Sequence, residues 1–283
     1  MTTCFLNGNY LDIKDAKVFW VLDRGFIFGD SVYEVLTSQD GGIFGLTDHL
    51  SRLEKNLSEV MIPRPMSRDG WREVLAKLIS AHEEADLSFY IQVSRGAAPR
   101  SHDFPQDVKP TVFVMCQPYV MDHEFHQVTC VTLEDNRWGR CDIKTTSLLP
   151  NLLLKNAAIE KGAHEAILVR SGYVTEGASS NVFIAKNGQV FTPSANDRTI
   201  LPGVTRKLIC DMVRSVGMEC TEREVRRDEL MCADEIWLTS STSDIVAVNM
   251  LDQRSVGVDS RYPLGRCIHK AFKDYKADNL LGF

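Results

Sequence analysis

Lys144 sits between an apolar strand-like run and an apolar helix-like run, in the stretch Asn136-Arg-Trp-Gly-Arg-Cys-Asp-Ile-Lys144-Thr-Thr-Ser-Leu-Leu-Pro150. Partial removal of an amine from water lowers its pKa and frees the lone pair for Schiff-base chemistry. The same window also suits a surface lysine whose stem lies along a strand end. Glu176 stands in Tyr173-Val-Thr-Glu176-Gly-Ala-Ser179-Ser180-Asn181, just before a buried strand. Small polar residues beside an acid allow backbone and hydroxyl groups to approach a ligand, or form a polar hairpin corner. Ile200-Leu201-Pro-Gly203-Val204-Thr205-Arg206 opens a helix whose free N–H groups and dipole could seat a phosphate, although many helices start this way. Arg95-Gly-Ala-Ala-Pro-Arg100-Ser-His102-Asp-Phe-Pro105 places two arginines and a histidine on one inter-strand loop. An arginine there could grip a carboxylate with two parallel hydrogen bonds and the histidine add a third, or the loop could simply be solvated and basic.

Other short patterns lead nowhere. Gly25-Phe-Ile-Phe-Gly29 is not a dinucleotide-binding glycine motif, and no P-loop lysine follows a glycine-rich turn. His123-Glu-Phe-His126 has its histidines three apart rather than the four of a zincin helix, and reads as a solvated connection. Ser101-His102-Asp103 is contiguous and cannot form a triad by itself. No metal site is expected.

These residues need elements to hold them. Leu46, Leu50, Leu53, Leu57, Val60 and Met61 recur at helical steps, and Pro63 and Pro65 follow. A second helix is expected around Trp71–Ile79, a third over much of 148–162, a fourth over 203–216 and a last one through Leu264–Tyr275. Strands are expected at 17–22, 31–38, 42–46, 88–96, 110–117, 128–135 and 234–241. Hairpins are expected within 164–177 and 181–193, with turns at Ser171-Gly172 and Asn187-Gly188. Strands and helices mix without regular βαβ alternation, so the fold class is α+β. The polar, proline-bearing segment between two β-rich runs divides the chain into a smaller N-terminal domain at 1–117, a linker at 118–127 and a larger C-terminal domain at 128–283.

Composition narrows the function classes. With 283 residues, 44% hydrophobic and 25% charged, the chain can bury a sizeable core, which excludes disordered and fibrous classes. Its 32 Lys+Arg against 38 Asp+Glu leave a net charge of −6 without basic blocks, against nucleic acid or anionic membrane as partner. Eight cysteines show no C-x-x-C spacing, the N-terminus lacks an apolar signal core, and no window reaches the roughly 20 apolar residues of a membrane span. A cytoplasmic protein with reduced thiols is expected.

Taken together, the segments DRGFIFGDSVYEV (23–35), HLSRL (49–53), RGAAPRSHDFP (95–105), RWGRCDIKTTSLL (137–149), EAILVRSGYVTEGASSNVF (165–183), LPGVTR (201–206) and TSSTSDI (239–245) closely resemble the fold-type IV pyridoxal-phosphate aminotransferases, and within them the D-amino-acid enzymes. The resemblance runs nearly end to end. It implies a two-domain fold with pyridoxal 5'-phosphate in an interdomain cleft, held covalently by Lys144, which also shuttles the substrate proton. Glu176 would keep the pyridine nitrogen protonated, and Leu201 would pack on the ring face. Arg52, the start of the helix at Val204 and Thr205, and Ser241 would form the phosphate cup, with Ser179, Ser180 and Asn181 at the ring edge or phosphate. Tyr33, Arg100 and His102 would trap the substrate α-carboxylate, the last two reaching in from the second subunit of a homodimer.

The implied reaction is ping-pong transfer of an amino group from a D-amino acid such as D-alanine to a 2-oxo acid such as 2-oxoglutarate. Branched-chain L-aminotransferases arrange the carboxylate site differently. Aminodeoxychorismate lyases typically have His after the lysine, where this chain has Thr145, and lack the Arg-x-His loop. A cofactor-free binding protein on the same scaffold is the remaining alternative. Thr145 and Thr146, Ala178 and Pro202 depart from the usual pattern without touching a bond-making group, and bear on side-chain preference.

Overall fold

The computed structural model describes residues 3–16, 21–84, 86–120, 124–215, 217–257 and 261–282. The chain divides into two compact units, one comprising Met1–Met121, Ile143–Ser147 and Asn279–Phe283, the other Asp122–Asp142 and Leu148–Asp278. A single cut at 118–127 does not convey this, because the pentapeptide around Lys144 and the C-terminal tail belong with the N-terminal unit.

The first unit begins with a hairpin, β1 (Thr3–Leu6) and β2 (Asn9–Asp12). Its two-residue turn is Asn7-Gly8, both with positive φ, which type I′ turns require. A five-residue helix α1 (Arg24–Phe28) precedes β3 (Ser31–Gln39), β4 (Gly42–Phe44), α2 (Leu46–Glu59), α3 (Arg68–Ser80), β5 (Leu87–Ser94) and β6 (Thr111–Pro118). Among the described residues seven strands form one sheet, in the order C-terminal strand (Leu280–Leu281), β4, β3, β5, β6, β1, β2. Alternation along β3 and β5 sends Val32, Leu36, Phe89, Ile91 and Val93 to one face. There they meet Leu46, Leu50, Leu53 and Leu57 of α2 and Trp71, Leu75 and Leu78 of α3 in one core. Glu34 falls on this buried face and is fully inaccessible, whereas Tyr33 points the other way and is half-buried.

The second unit contains β7 (Gln127–Glu134), α4 (Leu149–Glu160), β8 (Glu165–Arg170), β9 (Tyr173–Gly177), β10 (Asn181–Lys186), β11 (Gln189–Thr192), α5 (Val204–Ser215), β12 (Cys220–Glu222), β13 (Val225–Arg226), α6 (Arg227–Cys232), β14 (Glu235–Ser240), β15 (Asp244–Leu251), β16 (Arg254–Ser255) and α7 (Pro263–Asp278). The strands form a mixed sheet in the order β12, β11, β10, β14, β15, β7, β8, β9, β13, with β16 beside β15. β7 runs parallel to both β15 and β8, while β10 and β14 pair antiparallel. Mixed strand directions with helices that do not alternate regularly are the α+β arrangement expected above.

The hairpins at Ser171-Gly172 and Asn187-Gly188 have positive φ at all four turn residues. The helix predicted from residue 46 ends at Glu59, four residues before Pro63, where Met61 adopts φ 55. The strand expected at 17–22 lies largely outside the described residues, as does His123 of the His123–His126 pair. β1, β2, β15 and the short helix α1 are elements the periodicity analysis did not anticipate. Among the described residues no helix is long and apolar enough to cross a membrane, and no group of three or more His, Cys, Asp or Glu is placed to hold a metal.

Candidate active site

In the N-terminal unit, Lys144 is held by its own backbone. Tyr33 N–H donates to the Lys144 carbonyl at 2.9 Å, Thr146 N–H donates to Ser31 O at 3.2 Å, and Thr145 bridges Val32 antiparallel. The hydroxyls of Ser31 and Thr146 are also hydrogen-bonded to each other. The segment therefore lies along β3 like a short extra strand, and its register fixes where the amine emerges. Lys144 Nζ lies 4.3 Å from the Tyr33 ring centroid, and among the described residues it has no hydrogen-bond or ion-pair partner. An unpaired, half-buried amine against an aromatic face is available for covalent chemistry in a way a salt-bridged lysine is not.

Arg52, on α2, is buried and grips Glu34 of β3 through both Nε and Nη2, each at 2.8 Å. His49, one turn earlier, donates from Nδ1 to Glu34 Oε2 at 2.8 Å. Burial alone would raise the Glu34 carboxyl, but Arg52 and His49 outweigh it and hold the group at about 2. Burial lowers the His49 pKa, with Glu34 pulling the other way. The i, i+3 spacing of His49 and Arg52 puts both on one helix face over Glu34.

Arg100 and His102 occupy the exposed loop between β5 and β6. Both meet the ring of Phe28, Arg100 Cζ at 5.2 Å from its centroid and the His102 ring at 5.8 Å, edge-on. Among the described residues neither makes a side-chain hydrogen bond or ion pair, so their donors remain free for a ligand.

In the C-terminal unit, Glu176 is the centre of a buried network. Its Oε1 accepts from Arg137 Nη1 at 2.6 Å, and its Oε2 accepts from Asn181 Nδ2 at 3.0 Å and from Leu201 N–H at 2.9 Å. Asn181 Nδ2 also donates to Leu201 O at 2.9 Å, so Glu176, Asn181 and Leu201 are brought together. Burial pushes Glu176 up to about 7, with Arg137 pulling the other way without cancelling it. Arg137 is shared with Asp135, which it and Thr175 hold at about 2 against the effect of burial. A carboxyl with proton affinity near neutrality, beside a fixed cation, can share a proton with a basic ring nitrogen.

Val204 and Thr205 are the first residues of α5, both buried. Gly203 precedes them, and a Cβ there would lie 2.1 Å from Asn181 Oδ1, so only glycine lets that amide reach the helix start. Across the sheet from Asn181, Thr239 has a buried Oγ1 without a hydrogen-bond partner among the described residues. Ser241 is half-buried in the turn after β14. Ser179 and Ser180 turn instead to Glu165, at 2.6 and 3.4 Å. Sequence reasoning named the types of these groups but not Glu34, His49 or Arg137. All three lie inside the motifs set out above, yet nothing local marks Glu34 and His49 as partners of Arg52, and Arg137 reaches Glu176 across 39 positions.

The N-terminal unit thus presents a half-buried free amine and a buried arginine, and the C-terminal unit a buried carboxyl of raised proton affinity and a helix start at Val204. Residues 31–251 match the Amino-transferase class IV family, and the chain belongs to that family of aminotransferases, which use pyridoxal phosphate. It is 36% identical over 270 residues to the D-alanine aminotransferase of Bacillus licheniformis, covering 95% of each chain. Among solved structures, the branched-chain amino acid aminotransferase of Escherichia coli superposes with a TM-score of 0.91 at 25% identity, over 97% of this chain and 94% of that one. The branched-chain aminotransferase of the archaeon Thermoproteus uzoniensis, solved with norvaline, superposes with a TM-score of 0.89 at 22% identity, covering 99% and 96%.

Proposed function

We propose that this aminotransferase moves the amino group of a D-amino acid, D-alanine for example, to a 2-oxo acid such as 2-oxoglutarate, working as a cytoplasmic homodimer. The observation that carries the reading is the 36% identity, over 95% of the chain, to an enzyme named for D-alanine. The free donors of Arg100 and His102 on one loop support it, since a carboxylate trap needs donors without internal partners. Their exposure is what a residue pair serving a second subunit requires.

The residues present fit pyridoxal 5'-phosphate. Lys144 supplies the amine for its aldehyde, Glu176 the acid for its ring nitrogen, and Leu201 an apolar surface for the ring. Arg52, the Val204–Thr205 helix start, Ser241 and Asn181 suit the phosphate and its surroundings, with Ser179 and Ser180 at the margin. When bound, the cofactor supplies an electron sink for the charge left on the substrate Cα after deprotonation. The Lys144 Nζ would be the group that takes up that proton and gives it back. Glu176, oriented by Arg137, Asn181 and the Leu201 N–H, would keep a proton on the ring nitrogen. Tyr33, Arg100 and His102 hold the α-carboxylate and so decide which face of Cα meets the lysine.

The structural likeness to branched-chain enzymes favours a second reading, transamination of branched-chain L-amino acids on the same scaffold. Turnover of D-alanine with 2-oxoglutarate, run beside L-alanine and L-leucine, decides between them. D-alanine turnover with inert L-substrates is expected; L-leucine turnover with inert D-alanine would overturn the proposal. Lys144→Ala should lower turnover by at least about 1,000-fold, because the amine both holds the cofactor and moves the proton.

A further inference from the structure

Arg24 is 4% exposed, opens α1, and belongs to none of the groups assigned above. Its Nε donates to Asp30 Oδ2 at 2.8 Å. Its Nη1 donates to the carbonyl of Ser101 at 2.7 Å and to that of Asp103 at 3.4 Å. These two carbonyls flank His102 on either side. The guanidinium carbon lies 4.8 Å from the Phe28 ring centroid, the same ring that Arg100 and His102 approach. Arg24 thus fastens the loop's backbone while Phe28, four residues on along the same helix, supports its two functional side chains.

The rest of the loop is anchored through the same acid. Arg95, at the loop's base, donates to both oxygens of Asp30 at 2.8 and 3.0 Å and to the carbonyls of Val60 and Met61 at 2.7 and 2.9 Å. Its guanidinium lies 3.6 Å from the Phe104 ring centroid, gripping the far side of the loop. Only a planar guanidinium can meet Asp30 along one edge and a backbone carbonyl along another; an ammonium has no such fork. The backbone on each side of His102 is therefore fixed, while the Arg100 and His102 side chains are left without polar partners among the described residues.

We propose that Arg24 is a positioning residue for substrate carboxylate recognition, holding the 100–103 loop through the Ser101 and Asp103 carbonyls so that Arg100 and His102 are preorganised on Phe28. The inference rests on the reading of Arg100 and His102 as the carboxylate trap. It predicts a specific loss: weaker binding of anything held by its carboxylate, with the cofactor and the proton transfer at Lys144 left intact.

The test uses the cofactor-loaded enzyme and the variants Arg24→Lys, which keeps the charge but loses the fork, and Phe28→Leu, which keeps apolar bulk but removes the ring. KM for D-alanine and Ki for propionate, which has a carboxylate and no amine, should both rise about 10-fold, the factor that about 1.4 kcal/mol of weakened carboxylate binding gives. Saturated kcat should stay within about twofold of wild type. Cofactor affinity and the thermal midpoint should not follow the change in Ki. Unchanged KM and Ki in both variants would overturn the inference. So would parallel losses of kcat, cofactor affinity and thermal midpoint without a selective rise in Ki. Arg100→Met separates the two layers: if it leaves Ki for propionate unchanged, the carboxylate-trap reading fails, whereas an effect there without one at Arg24 and Phe28 sinks only the positioning role.

Discussion

Glu34→Gln tests whether Arg52 is held by a buried counter-charge. Glu34 is inaccessible to solvent, and its partners move the carboxyl from 4.5 to about 2. That lowering from 4.5 to about 2 corresponds to about 3 kcal/mol of stabilisation of the charged form. The amide keeps the shape but leaves the Arg52 guanidinium buried without its anion, a change that typically costs about 3–5 kcal/mol. For a chain of this length, about 3 kcal/mol lowers the thermal midpoint by about 5 °C. Because folding lowers the proton affinity of Glu34, its stabilisation is present above pH 4.5 and is lost as pH falls through about 2. Urea unfolding of wild type and variant at pH 7, 5 and 3 reads this directly. The gap should be about 3 kcal/mol at pH 7 and 5, then narrow by about 2 kcal/mol at pH 3. A gap under about 1 kcal/mol at pH 7, or one independent of pH, would refute the reasoning.

Glu176 carries the opposite sign. Folding raises its carboxyl to about 7, so its contribution to the cofactor-free protein is complete below 4.5 and is lost as pH rises through about 7. Glu176→Gln should remove that slope, worth about 2.5 kcal/mol between pH 5 and 8, and equal pH slopes in the two proteins would contradict it. Gly96→Ala should destabilise the first unit by about 3 kcal/mol in chemical denaturation. Gly96 has φ +105, and an added Cβ would lie 2.2 Å from the Lys109 carbonyl oxygen. A wild-type-like midpoint would show that the loop base gives way.

The elements that sequence periodicity reveals are those whose burial has a regular period. α2 shows it in Leu46, Leu50, Leu53 and Leu57, β5 in Phe89, Ile91 and Val93, and the two C-terminal hairpins announce their turns with Ser171-Gly172 and Asn187-Gly188. The β1–β2 hairpin carried an equally explicit signal in Asn7-Gly8, and β15 one in the apolar run Ile245–Val248; both were legible. α1 was not, since five residues between glycines give no period. The family was legible, because its motifs recur in order along the chain. What could not be read were the pairings that tune the residues within those motifs. Arg137 with Glu176, Arg24 with Ser101 and Lys144 with Tyr33 are contacts between distant positions, and nothing local encodes them.

The short stretch that carries the lysine also sets a constraint on how the protein is made. Thr145 and Thr146 dock onto Ser31, 114 and 115 positions earlier, so the bed for the amine exists only after the first sheet has formed and a long span of chain has been synthesised beyond it. Closing so large a loop is entropically slow and comes late. An aldehyde cofactor added during refolding would therefore report completed tertiary assembly and not local structure. A chain severed near residue 121 would leave the lysine on one fragment and the strand that aligns it on the other. Colour development in a fragment-complementation experiment would then measure reunion of the pieces.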